Sequence, residues 1–318
     1  MINILVNAPF HFIDFYKIQK KKSNIKFFLN YKNSKLTKKN ISSFQGLIVD
    51  PGANYKIDRK YLSKFTNLKI IVTPSTGVNH IDLSYCLQNN IKVKSLLDDR
   101  KTLETITASA EFSFYLVLSA LRKIKVVNNN FHKGNWRLNE DEMRGHELYD
   151  KKVGIIGLGR IGKKLSKYFT AFNSTCYFYD PYVNKFNNRK ITKYKNLKSI
   201  FLNCDIVCVS CYLTKETFHF IDYNYLKLLK KNSVFINTSR GEVVVENDIL
   251  KLVRNRKDIQ VSLDVLENEQ KNIKNNLLFK NSFKNDNLYI TPHIAGLTYE
   301  SQKKAGFFAI KEINKFFR

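Results

Sequence analysis

Val153-Gly154-Ile155-Ile156-Gly157-Leu158-Gly159-Arg160-Ile161-Gly162 is the stretch that decides the fold. A β-branched apolar run leads into G-x-G-x-x-G, and Ile161, Leu165, Tyr168, Phe169 and Phe172 then recur at helical spacing. Strand, glycine turn and helix in that order give each glycine a task. Gly157 permits the tight turn, Gly159 lets the backbone approach a pyrophosphate, and Gly162 lets the helix close on the strand. The helix N-terminus offers amide donors and the positive end of its dipole to the same anion. Asp180 ends the next apolar run, Thr175–Tyr179. A carboxylate there accepts a ribose 2′-OH and repels a 2′-phosphate, which selects NAD over NADP.

Further strands are expected at Ile206–Cys211, Ser233–Asn237, Val261–Leu263 and Leu288–Ile290, with helices at Leu226–Leu229 and Asn247–Arg254. Strands alternating with helices imply a doubly wound parallel sheet. Upstream, apolar runs at Ile2–Val6, Gly46–Val49 and Leu68–Val72 describe a smaller α/β unit. Apolar residues from Leu103 to Ile124 recur at three- and four-residue steps, so one long buried helix is expected over Thr102–Val127. Asn128–Asp150 reads as a polar surface excursion anchored by Trp136, and Thr298–Phe317 as a last helix that packs back on the first domain. The expected division is residues 1–100 with 297–318 in one domain and 101–296 in the other.

The chain has 318 residues and a formal charge of +27, from 54 Lys and Arg against 27 Asp and Glu. Such a balance suggests a phosphate polymer as partner. Only 11 of the cations are Arg, however, and the Lys residues are spread along the chain beside Asn, as at Lys38–Asn40, Lys231–Asn232 and Lys271–Asn276. Specific phosphate and base recognition uses Arg forks. The excess of Lys, Asn, Ile, Phe and Tyr fits A/T-rich coding better than a nucleic-acid surface, so no nucleic-acid partner is expected. A diffuse Lys-rich surface instead draws anionic ligands toward the protein. Five cysteines, Cys86, Cys176, Cys204, Cys208 and Cys211, suggest no disulfide framework. Cys208 and Cys211 are expected to pack on opposite faces of a strand, not to bind metal. No basic leader with an apolar core opens the chain and no run of 18 apolar residues occurs, so a cytoplasmic protein without a membrane partner is expected.

Three ionisable residues follow strand ends: Arg240 in Asn237-Thr238-Ser239-Arg240-Gly241, Glu269 after Val261–Val265, and His293 in Thr291–Gly296. In a parallel sheet such positions face the ligand crevice. Arg240 can fork onto a carboxylate, His293 can exchange a proton near neutral pH, and Glu269 can orient it. Taken singly, each is equally a solvated loop residue. Alongside a dinucleotide site they point together to hydride-transfer chemistry.

The order and spacing of Ser75–Asp82, Val153–Lys164, Cys204–Thr217, Ile236–Val244, Ser262–Glu269 and Thr291–Gly296 resemble the D-isomer specific 2-hydroxyacid dehydrogenases, in particular those like D-3-phosphoglycerate dehydrogenase. The resemblance covers nearly the whole chain. It implies a Rossmann-type NAD-binding domain with a smaller flavodoxin-like substrate domain, and a catalytic set of Arg240, Glu269 and His293. It further implies Ser75, Thr76, Gly77, Val78 and Arg240 around the substrate. Thr76, Gly157, Gly159, Arg160, Ile161, Gly162, Asp180, Cys211, Thr238, Ser239, Arg240, Asp264, His293 and Gly296 would meet NAD, with Asp264 near the carboxamide. No metal is implied, and a homodimer through the nucleotide domain is. The implied substrate is a short D-2-hydroxy acid or its 2-oxo form, of the phosphoglycerate, glycerate or hydroxypyruvate kind.

The chain also departs from that pattern. Gln270 replaces a Pro after Glu269, Tyr212 replaces a Pro after Cys211, and Thr73 stands where phosphoglycerate enzymes have Arg. Leu97–Thr105 lacks that group's Asn-Thr-Pro. With nothing after residue 318, feedback through an added C-terminal domain is not expected. The rival reading is a catalytically silent NAD-sensing corepressor or scaffold of the same fold, against which the complete Arg240, Glu269 and His293 set argues.

Overall fold

The computed structural model describes residues 1–15, 17, 24–30, 41–50, 52, 57–184, 186, 190–269 and 273–318. Gln270 lies outside them. The chain forms two compact units, residues 1–106 with 297–318 and residues 107–296.

The first unit holds a five-stranded parallel sheet of β1 (Ile2–Asn7), β2 (Ile25–Leu29), β3 (Gly46–Val49), β4 (Ile70–Thr73) and β5 (Lys92–Ser95). Their order is β2-β1-β3-β4-β5. This is the flavodoxin-like arrangement, and its central strands are buried on both faces. Ile4, Val6, Ile48, Ile70 and Val72 face the terminal helix Tyr299–Phe316, which contributes Phe308, Ala309 and Ile313. Leu5, Leu47, Val49 and Ile71 face Leu62 and Cys86 on the other side.

The second unit holds seven parallel strands: β6 (Lys152–Ile156), β7 (Thr175–Tyr179), β8 (Ile191–Lys193), β9 (Ile206–Val209), β10 (Val234–Asn237), β11 (Gln260–Leu263) and β12 (Leu288–Ile290). Their order is β12-β11-β10-β9-β6-β7-β8. The direction of winding reverses between β6 and β9, so the crevice beyond their carboxyl ends is the place for a dinucleotide. Helix Arg160–Ala171 buries Leu165 and Phe169 against β6, and Ala108–Leu121 adds Leu116, Val117 and Ala120 to the same core.

The expected helix over Thr102–Val127 is instead three helices: Arg100–Glu104, Ala108–Leu121 and Ile124–His132. The first break falls at three successive β-branched residues, Thr105-Ile106-Thr107, which fit a helix poorly. There the Thr105 hydroxyl donates to the Thr102 carbonyl at 2.7 Å. The second falls at Lys123, whose φ of +48° is left-handed. Near it the His146 N–H caps the Leu121 carbonyl at 2.8 Å, and Gly145 lies so close to that carbonyl that a Cβ would collide with it. Trp136 does not anchor the following excursion, for it is 77% exposed. Strand β9 stops at Val209, short of the expected Cys211.

The unit boundary comes after Ile106, past the expected residue 100, because Arg100–Glu104 is tied to the terminal helix. Asp99 caps that short helix by accepting the Thr102 N–H at 3.0 Å, and it also accepts Lys311 Nζ at 2.9 Å. Lys304 Nζ donates to the Thr105 carbonyl at 2.7 Å. The Thr102 N–H and the Lys311 ammonium hold the Asp99 carboxyl down at about 2 from its ordinary 3.8. A depressed carboxyl stabilises the fold above its unfolded pKa and stops doing so as pH falls through the folded value. Urea unfolding of wild type and D99N between pH 5 and 2 is expected to show wild type more stable at pH 5, with the difference vanishing toward pH 2. A difference that does not change with pH would show that the tie is not ionic.

Candidate active site

Every expected site residue of the second unit follows the carboxyl end of a strand, and backbone geometry fixes most of them. After β6, Gly157 has φ +90°, and a Cβ on it would lie 2.7 Å from both Cα and N of Cys211. The turn therefore passes against the chain leaving β9. A Cβ on Gly162 would strike the Gly157 carbonyl, so only glycine lets the helix start this close to the strand. Gly159 caps that helix, and nothing stands within 4 Å of where its Cβ would be. This open backbone beside a helix N-terminus suits a pyrophosphate. Arg160 and Ile161 occupy the first turn, half-buried.

Asp180 follows β7 and reaches back to the glycine turn. Its Oδ2 accepts the Leu158 N–H at 2.8 Å, and its Oδ1 accepts those of Tyr182 at 2.9 Å and Val183 at 3.2 Å. Motif reading overlooked Ser210, whose hydroxyl donates to the Gly157 carbonyl at 2.6 Å and locks the turn from the β9 side. Cys211 is half-buried and its thiol is pushed up to about 12 by burial, so it packs rather than reacts.

After β10, Asn237 builds an Asx turn. Its Oδ1 accepts the Ser239 N–H at 3.0 Å and the Ser239 hydroxyl at 2.8 Å, and its Nδ2 donates to the Arg240 carbonyl at 2.9 Å. An Asn at a strand end followed by Thr-Ser was the available signal for this role. The Thr238 hydroxyl pairs with Ser113 at 2.6 Å, which ties the turn to helix Ala108–Leu121. Arg240 is half-buried, and its Nη1 donates to the Ser239 carbonyl at 2.7 Å.

After β11 and β12 two loops meet. Asp264 is 1% exposed, and burial pushes its carboxyl up against the opposing pull of its hydrogen bonds. Its Oδ1 accepts the Thr291 hydroxyl at 2.6 Å and the Ile294 N–H at 3.0 Å, and its Oδ2 accepts the Ala295 N–H at 2.8 Å. The His293 N–H donates to the Asp264 carbonyl at 2.9 Å, and His293 takes a left-handed φ of +55°. Asp264 thus shapes the loop that presents His293, a task the sequence did not suggest. Glu269 Oε1 pairs with His293 Nδ1 in a short contact, while its Oε2 accepts the Leu266 N–H at 3.4 Å. Gly296 ends this loop, exposed.

Ser75–Val78 lies in the first unit, after β4. The Thr73 hydroxyl bonds to Ser75 Oγ at 3.0 Å and to Nε2 of the buried His80 at 3.3 Å, and Ser75 Oγ donates to the Gly77 carbonyl at 2.8 Å. Among the described residues no group of three or more His, Cys, Asp or Glu is placed to hold a metal ion.

Residues 114–295 match the family described as D-isomer specific 2-hydroxyacid dehydrogenase, NAD binding domain. The chain belongs to this family. It is 30% identical to the D-3-phosphoglycerate dehydrogenase of Methanocaldococcus jannaschii over its whole length, yet it spans only 58% of that relative. It is 28% identical to the glyoxylate reductase of Pyrococcus horikoshii over 83% of this chain and 77% of that one. Among solved structures, the D-lactate dehydrogenase of Aquifex aeolicus complexed with NAD and lactic acid superposes with a TM-score of 0.79 at 26% identity, covering 99% of this chain and 95% of that one.

NAD is the cofactor of the family's domain, and the observed turn fits it. The open face of Gly159 beside the helix N-terminus suits a pyrophosphate, and the Asp180 carboxylate beside Leu158 suits a ribose hydroxyl. D180S is expected to weaken NADH binding about tenfold, the worth of one hydrogen bond to a charged group at about 1.5 kcal/mol. NADPH binding should tighten at the same time, read by fluorescence titration of both cofactors. Equal losses for the two would mean that Asp180 only braces the turn.

Proposed function

We propose that this dehydrogenase-family chain interconverts a short D-2-hydroxy acid and its 2-oxo acid, with Arg240, Glu269 and His293 as the catalytic residues. The observation that carries this is the Glu269–His293 pair, presented on two adjacent strand ends of the sheet that holds the glycine turn. NADH, when bound, supplies the hydride for the carbonyl carbon of the 2-oxo acid. The guanidinium of Arg240 binds the substrate carboxylate and polarises the carbonyl oxygen. Nε2 of His293 gives its proton to that oxygen as the hydroxyl forms, and takes it back in the oxidation direction. Glu269 on Nδ1 fixes the tautomer, keeps the ring aimed and balances the positive charge of the imidazolium.

The substrate reading follows from Ser75–Val78, the segment the resemblance assigns to the carboxylate. The side chains bonded around it include Thr73, Ser75 and His80, and no Arg stands at position 73. This favours glycerate and hydroxypyruvate over their phosphorylated counterparts. The reading includes a cytoplasmic location. Among the described residues no helix is long and apolar enough to cross a membrane.

A homodimer is part of the same proposal. In the second unit Phe131, Trp136 and Leu138 are exposed at 58%, 77% and 61%, in a segment that also carries the Arg137–Glu140 and Arg144–Asp141 pairs. Aromatic side chains ringed by both signs of charge suit a self-complementary two-fold contact.

With NADH and a panel of glyoxylate, pyruvate, hydroxypyruvate and phosphohydroxypyruvate, hydroxypyruvate is expected to turn over fastest. H293N should lower kcat at least about a hundredfold, as for loss of a general acid. Wild type that binds NADH yet reduces none of these acids would favour the silent-sensor reading. Light scattering should give a dimer mass for wild type and a monomer for W136E at micromolar concentration, whereas an unchanged mass would place the contact elsewhere.

A further inference from the structure

The segment that carries Glu269 is gripped by a second set of acids and a second histidine, none of which touches the reacting atoms in the proposed chemistry. The Glu267 N–H donates to Glu246 Oε1 at 2.6 Å, and Asn276 Nδ2 donates to Glu246 Oε2 at 2.8 Å. Glu267 Oε2 lies 3.2 Å from His219 Nε2. His219 is held in turn: its N–H donates to the Glu242 carbonyl at 2.8 Å, its ring stacks on Phe218 with centroids 4.0 Å apart, and its φ is +51°. A left-handed non-glycine residue persists only where its surroundings over-determine it.

This grip reaches both chemical groups. Gly241, directly after Arg240, presses on the Leu266–Glu267 peptide so closely that a Cβ would overlap it. The Leu266 N–H, one peptide away, donates to Glu269 itself. Glu246 is also an expensive way to hold a loop. It is half-buried, and burial raises its carboxyl, with Glu267 and Glu242 adding like charge. Its two hydrogen bonds offset that cost only while they keep the loop in place.

We propose that Glu246 and the His219–Glu267 pair are positioning residues that set Leu266–Glu269 so that the Glu269 carboxylate meets Nδ1 of His293. This rests on the reading of His293 as the proton-exchanging group. Two readouts on the full chain separate the claims. The first is the low-field proton resonance of His293 Nδ1–H, assigned by its loss in E269Q. The second is steady-state kinetics with whichever 2-oxo acid the wild type reduces.

In E246A the resonance is expected to broaden or vanish and kcat to fall about tenfold, as misplacement of a catalytic group by a fraction of an ångström does. KM should change by less than about twofold. E246Q, which keeps an acceptor oxygen for the Glu267 N–H, should recover most of both. H219A removes the other anchor and should move the same readouts if E246A fails to fold. An unchanged resonance and kcat in cooperatively folded E246A, or E246Q no better than E246A, would overturn the assignment. If E246A loses the resonance while the wild type reduces no 2-oxo acid, the positioning role stands and the proposed activity falls.

Discussion

Parallel pairing is the constraint on which the second unit depends. Every neighbour in its sheet runs in the same direction, so all seven strands end on one edge. Hydrogen-bonded neighbours along that edge are about 4.8 Å apart. The glycine turn, Ser210, the Asn237 turn, Asp264 and the His293 loop all leave from it. Residues far apart in the chain thereby become neighbours on that edge, where contacts such as Ser210 with Gly157 and Glu269 with His293 follow. The crowding at Gly157 and Gly162 belongs to the same constraint, since the turn must fit between its helix and the chain leaving β9.

Much of this was legible in the sequence because parallel strands buried on both faces are written as short β-branched runs. Ile4, Val6, Val153, Ile155, Val207 and Phe235 are each essentially fully buried. The strands that went unread lack that mark. In Lys92–Ser95 two of four residues are Lys at a sheet edge, Ile191–Lys193 is three residues long, and Ile25–Leu29 borders the first sheet with two of its five residues exposed. The helix over Thr102–Val127 was misread for the opposite reason. Its apolar spacing continues across breaks set by local backbone chemistry at Thr105 and Lys123, which periodicity does not register.

The site divides in the same way. Motifs exposed the residues that face outward, namely Arg240, Glu269, His293 and Asp180. They give Asp264 only as a cofactor contact and assign Asn237 no role, because both shape the site largely through main-chain N–H and carbonyl groups. Most of the polar capacity near the strand ends is spent in this manner. Both oxygens of Asp264 and both of Asp180 are satisfied by the chain's own donors before any ligand arrives. Such prior satisfaction is what holds a binding surface in shape while empty.

The five cysteines carry a practical corollary. Burial pushes Cys86 up to about 11 and Cys176, Cys204 and Cys211 up to about 12, and raises the wholly enclosed Cys208 as well. At neutral pH all are protonated, and the thiolate is the form that alkylating reagents attack. The native chain is therefore a quiet background for maleimide chemistry. One new cysteine on an exposed position of either unit would take up a fluorophore almost alone, with no need to strip out the native thiols first.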